Sequence, residues 1–171
     1  MQVIGIGTGG SQIATELAQH EAYDVMVIDT SFKEQLNNVE QILIDSQETI
    51  KEYEEKTNLD ISKKVRHNNV HVFLFGGGKT TGATLRILQR IKDKKITVHY
   101  VRPEKNFLSN KQKLRERMTC GILQELARSG VFSKIYLYDA LEVLKEAEVN
   151  FLEKRLCCQY NSRDVSYDKL H

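Results

Sequence analysis

Short apolar runs separated by polar, helix-patterned segments recur along the whole chain. Gln2-Val3-Ile4-Gly5-Ile6 reads as a buried strand, and Ser11 to His20 as a helix with Ile13 and Leu17 one turn apart. Tyr23 to Asp29 predicts a second strand, closed by the turn-prone Asp29-Thr30-Ser31. Gln41-Ile42-Leu43-Ile44 predicts a short third strand ending at Asp45. Ser46 then caps a charged helix over Gln47 to Lys56, and Asn58 starts a shorter helix through Val65, with Ile61 and Val65 four apart. Val70 to Phe75 is the fourth strand, and Ala83 to Ile91 a helix with Leu85, Leu88 and Ile91 on one face.

Lys95 to Val101 forms the fifth strand, broken by Pro103, and Glu104 to Asn110 is loop. Lys111 to Arg128 is a helix with Leu114, Met118, Ile122 and Leu126 stacked at four-residue spacing. Gly121 inside it costs about 1 kcal/mol relative to Ala, for which close packing against a sheet is a motive. Lys134 to Tyr138 is the sixth strand, and Asp139 caps a last helix reaching Leu156. These elements predict one domain over residues 1–158, followed by a polar, irregular tail over 159–171.

Strands that alternate with helices call for an α/β fold, a three-layer, doubly wound parallel sheet of Rossmann-like type. Right-handed crossovers favour the strand order 3-2-1-4-5-6. That order places the first and fourth strands side by side. The turns that leave them then meet at the carboxyl edge of the sheet, where ligands of such folds bind.

Both of those turns are rich in glycine. Eight of the ten glycines are Gly5, Gly7, Gly9 and Gly10 in the first turn and Gly76, Gly77, Gly78 and Gly82 in the second. Each turn runs from a strand into a helix N-terminus, where exposed amides and the macrodipole favour an anion. A phosphate chain is the natural occupant.

Composition narrows the picture only a little. A chain of 171 residues, 40% apolar and 28% charged, is ordinary for a soluble globular protein. The net charge of +2 and a basic cluster at Lys111, Lys113, Arg115 and Arg117, read as a solvated helix face, predict no nucleic-acid partner. No signal peptide or membrane span is read from the sequence. With Cys120, Cys157 and Cys158 odd in number and without metal-type spacing, the expectation is a cytoplasmic protein with no membrane partner.

Other chemistries fit parts of these turns. Gly5, Gly7 and Gly10 satisfy the dinucleotide G-x-G-x-x-G pattern, with Asp29 placed to hold a ribose, although a turn or cap role is commoner for such a residue. Gly78-Lys79-Thr80 suggests a P-loop, but the glycine that pattern needs five residues earlier is Phe73, which excludes it. His67 and His71 are four apart, yet His71 begins a strand, so no metal site is predicted. No catalytic residues are assigned, because no nucleophile–base arrangement follows from the sequence order.

Gly76-Gly77-Gly78-Lys79-Thr80-Thr81-Gly82-Ala83 resembles the G-G-G-T-G-T-G-A signature of the tubulin/FtsZ family at six of eight positions. Gly7-Thr8-Gly9-Gly10-Ser11-Gln12-Ile13 is similar to that family's first nucleotide loop, G-Q-C-G-N-Q-I. Val25 to Ser31 and Thr97 to Pro103 are similar to its strands ending N-T-D and T-K-P. The resemblance covers Met1 to about Leu156 and implies a GTPase-domain type of fold that binds GTP or GDP, with or without Mg2+. It implies that Gly7, Thr8, Gly9, Gly10 and Gln12 contact the phosphates and sugar, and that Gly76, Gly77, Gly78, Lys79, Thr80, Thr81 and Gly82 cradle the phosphates. Asn150 would read the base edge and Phe151 stack on it. The departures are Asp45-Ser46-Gln47-Glu48 in place of a Gly/Ala-rich γ-phosphate loop, Lys79 in place of Thr, and an acid-and-arginine pattern that is not cleanly present near Phe107 to Arg117. The sequence also stops where the family's second, catalytic domain begins.

The resemblance therefore implies a guanine-nucleotide-binding protein that self-associates or joins a protein partner in a nucleotide-dependent way, a cytoskeleton-like assembly with weak or no intrinsic hydrolysis. The alternative expectation is a non-catalytic assembly protein whose site has decayed. The third is an NAD-binding Rossmann oxidoreductase module.

Overall fold

The computed structural model describes residues 1–145. The chain divides into two units, Met1–Ala140 and Leu141–His171, and the second is described only over 141–145, which are helical. Most of the helix expected from Asp139 to Leu156, with Asn150 and Phe151, lies outside the described residues, as does the tail.

In the first unit the elements are β1 (Gln2–Ile6), α1 (Gly7–Leu17), β2 (Asp24–Asp29), β3 (Val39–Leu43), α2 (Ile50–Lys56), β4 (Asn69–Phe75), α3 (Thr81–Arg90), β5 (Lys95–Arg102), α4 (Asn110–Arg128) and β6 (Lys134–Asp139). A 3-10 turn, Lys105–Phe107, separates β5 from α4. All six strands are parallel, in the order β3-β2-β1-β4-β5-β6. The α/β, doubly wound, Rossmann-like architecture and its strand order are those that the alternation and crossover rules predict.

Burial follows position in the sheet. Every residue of β1 is buried, as is β2 after Asp24, which suits central strands covered on both faces. The edge strand β6 has no fully buried residue. On one face α1 covers Val3, Val25 and Val27 through Ala14 and Leu17. On the other, α2, α3 and α4 bury Ile4, Met26, Ile28, Val72, Val98 and Tyr100 beneath Tyr53, Ile87, Leu88 and Leu123.

Three local expectations give way to tertiary structure. Residues 58–65 form no helix: the Asp60 carboxylate accepts from the Ser62 amide, and only a single turn closes, from the Val65 N–H to the Ile61 carbonyl at 3.0 Å. Ile61 and Val65 are nonetheless core residues. The helix expected from Gln47 starts at Ile50, because Thr49, not Ser46, is its N-cap and forms a capping box with Glu52.

The third correction concerns α4, which is rotated relative to its apolar stripe. Leu114 is 58% and Met118 45% exposed, while Glu116 and Thr119 are buried with Leu123. Glu116 takes the inner position because Arg102 Nε donates to its Oε1 at 3.2 Å, and the Thr119 hydroxyl is satisfied by the Arg115 carbonyl at 2.8 Å. Gly121 is exposed, and among the described residues a Cβ added there meets nothing within 4 Å, so close packing against them is not its reason.

On the α1 face of the sheet, beyond β1, a ladder of rings crosses β4, β5 and β6. His71 Nδ1 lies 2.9 Å from His99 Nε2, and His99 Nδ1 lies 2.8 Å from the Tyr138 hydroxyl. The His99 ring also stacks on Phe73 and Tyr136. Burial, and then the neighbouring His71, lower the His99 pKa to about 4.

Candidate functional site

The two glycine turns leave adjacent strands, since Ile6 of β1 is in register with Leu74 of β4. They touch. A Cβ on Gly7 would collide with the Thr80 hydroxyl, and Gly7 itself has φ +71, so only glycine fits there. Between the turns lies a cleft of about 420 Å³ at the carboxyl edge of the sheet. Gly7, Thr8 and Gly9 line one side of it; Gly76, Gly77, Gly78, Lys79 and Thr80 line the other.

The starts of α1 and α3, at this cleft, differ from those of α2 and α4. α2 and α4 each begin with a full capping box, Thr49 with Glu52 and Ser109 with Gln112. α1 and α3, which begin at the glycine turns, have no side-chain cap at Ile6 or Thr80, and no acidic residue lies in either first turn. The first amides of a helix lack intrahelical acceptors, and a side-chain cap contributes about 1 kcal/mol. Two helices therefore direct positive dipole ends toward one cavity, although in α3 the Gly82 and Ala83 amides are already taken by the Lys79 and Thr80 carbonyls. α1 starts at Gly7 rather than at Ser11, so its first amides belong to the glycine turn itself.

The glycines fall into distinct classes. Gly10 is pressed on the Phe73 carbonyl of β4, and Gly82 on the Ile50 carbonyl of α2; neither lines the cleft. Gly76 is needed because a Cβ would stand 2.6 Å from the Tyr100 hydroxyl and 2.8 Å from Pro103 Cδ. Gly77 has φ +82. Gly78 alone in the second turn has neither reason: its φ is not positive, and the nearest atom to an added Cβ is 3.7 Å away. Gly78 lines the cleft with bare backbone.

Polar side chains complete the lining. Asp29, 6% exposed, accepts from the Thr8 hydroxyl at 3.0 Å and the Thr30 amide at 2.8 Å. Thr81 is turned away from the cleft to donate to the Gly78 carbonyl at 3.1 Å, which braces the second turn. Lys79 lies 3.8 Å from the exposed carboxylate of Glu48, a distance and exposure that contribute little. Beneath Gly76 the Tyr100 hydroxyl is buried without a hydrogen-bond partner among the described residues, and burial, with Glu116 and Cys120 nearby, raises its pKa. Gln12 lies outside this cleft, in a neighbouring one of about 260 Å³ between α1 and the segment after β2. Thr8 and Asp29 line both, which makes them the junction.

No protein-family model matches the chain, and no curated protein does. A similar solved structure is the apo form of translation elongation factor SelB from Methanococcus maripaludis, 14% identical, with a TM-score of 0.36. The similarity covers 97% of this chain and 37% of that one, so the chain spans little more than a third of its length. These results overturn the tubulin/FtsZ assignment, and with it the implied cytoskeletal assembly. The glycine geometry explains the misleading likeness: Gly76, Gly77 and Gly82 are each demanded by local packing or φ, so a shared glycine pattern reports the shape of a turn, not descent.

Sequence reasoning gave Asp29 a bland role and passed over Thr30, Ser46, Tyr53, Leu108 and Gln112, all of which line the main cleft. Asp29 carried a signal, its place at a strand end beside a switch point. Tyr53 and Gln112 carried none, because they reach the cleft from helices distant in sequence. Among the described residues no cluster of three or more His, Cys, Asp or Glu could hold a metal, and no helix is long and apolar enough to cross a membrane.

Proposed function

We propose that this protein binds a nucleoside di- or triphosphate, with its phosphates between the two glycine turns. The observation that carries the reading is the pair of uncapped helix N-termini, α1 and α3, facing one cavity while α2 and α4 are fully capped. The Thr80 hydroxyl and the backbone of Gly7, Thr8, Gly9 and Gly76–Gly78 supply donors, the Thr8 hydroxyl being held by Asp29, and Lys79 supplies a cation that an anion would draw from its weak contact with Glu48. Asp29 is placed for a ribose hydroxyl, and the neighbouring cleft past it for the rest of the nucleoside. GTP and GDP are the first ligands to test.

A second reading is a dinucleotide such as NAD+. It is favoured by Asp29 at the end of β2 and by Gly10 packed closely against β4, a role that glycine plays in that fingerprint. It leaves Lys79 and the second turn without a task, since a pyrophosphate needs only one glycine turn. Calorimetric titration with GTP, GDP, ATP and NAD+ separates the readings. Mononucleotide binding weakened about tenfold or more by Lys79→Ala supports the first. NAD+ binding alone supports the second, and no binding of any of them leaves a decayed site.

A further inference from the structure

A second pocket, about 390 Å³, lies between the end of β5 and α4 and shares no lining residue with the glycine-turn cleft. Arg102, Lys105, Lys113 and Arg117 line it against one carboxylate, Glu116. That carboxylate is already engaged: it is 6% exposed and accepts from Arg102 Nε at 3.2 Å, which fixes the orientation of the guanidinium. Lys105, Lys113 and Arg117 form no ion pair among the described residues. Like charges gathered around a concavity repel one another, and an anion in that concavity relieves them.

Gly121 points the same way by an independent route. Glycine inside a helix is unfavourable, yet here φ is not positive and an added Cβ meets nothing within 4 Å. Among the described residues nothing calls for a glycine at this position. The pocket gives it a use, because Gly121 forms part of its wall and the missing side chain leaves it open. We propose that this pocket binds a multiply charged oxyanion, bearing phosphate or carboxylate groups, at a site separate from the glycine turns. Arg102, held by Glu116, presents the planar fork; Lys105, Lys113 and Arg117 close around the charge.

Cys120, half-buried and a free thiol, lines the pocket and reports on it. The full chain is treated with iodoacetamide, and modification of the Cys120 peptide is followed by mass spectrometry. Pyrophosphate and citrate are compared with chloride at equal ionic strength. A bound anion slows alkylation about fivefold once its concentration is about four times the dissociation constant. Protection that persists in Lys79→Ala but disappears in Lys113→Ala and Arg117→Ala supports the proposal; which of the two anions protects identifies the chemistry. Absence of protection by either anion overturns it. So does protection that survives Lys113→Ala and Arg117→Ala but is lost in Lys79→Ala, because the anion would then be acting from the glycine turns.

Discussion

Replacing Gly78 by alanine separates fold from ligand at a single atom. The position has a compatible φ, and the nearest neighbour of the added methyl is the Thr80 hydroxyl at 3.7 Å, an ordinary contact. Folded Gly78→Ala therefore carries no strain, while its unfolded chain loses freedom, so stability rises by about 0.4–1 kcal/mol. Gly78 lines the cleft, so a methyl there takes up room where bare backbone would meet a phosphate. Displacing one charge-assisted hydrogen bond costs about 1.5–3 kcal/mol, or about ten- to a hundredfold in affinity. Urea denaturation measures the first effect, and calorimetric titration with the nucleotide that wild type binds measures the second. A variant of undiminished stability with unchanged affinity refutes the assignment of this turn as a phosphate cradle. A variant that unfolds refutes the geometric argument that Gly78 is free of packing demands.

Gly121→Ala adds a methyl in open space within α4, so stability should rise by about 0.5–1 kcal/mol and Tm by about 1–4 °C; a fall in Tm shows that the glycine has a packing role after all. His99 makes stability depend on pH. Its folded pKa, about 4, lies below the ordinary 6.5, so between those values the unfolded chain binds more protons. The stabilising contribution of neutral His99 is full above pH 6.5 and is lost as pH falls toward 4, by about 1–2 kcal/mol for this half-buried ring. Urea midpoints at pH 7 and 4.5 measure it, and the reasoning fails if His99→Gln leaves that difference unchanged.

The sheet was legible because its signals are redundant. Continuous apolar runs such as Val25 to Ile28 name a buried parallel strand, and handedness leaves few orders for six strands. Helix faces were less legible. Leu114 and Met118 carry the hydrophobic pattern of α4, but the Arg102–Glu116 pair and the self-satisfied Thr119 hydroxyl turn a polar stripe inward. Hydropathy assigns a cost to a buried carboxylate without knowing that an arginine two elements away will meet it. The site was half legible for a related reason. Glycine clusters announce a tight turn, but whether a given glycine serves a ligand, as Gly78 is free to do, or a neighbouring carbonyl, as Gly10 and Gly82 do, depends on what the fold brings up against it.

Gly82 has a mechanical consequence. It belongs to the first turn of α3, two residues after Thr80, and it packs on the Ile50 carbonyl with no room for a Cβ between them. A ligand that draws the second glycine turn inward therefore cannot tighten α3 onto α2. Tyr53 of α2 also lines the cleft, so the α2–α3 contact joins two walls of the same cavity. Any side chain at Gly82 would pry that joint apart.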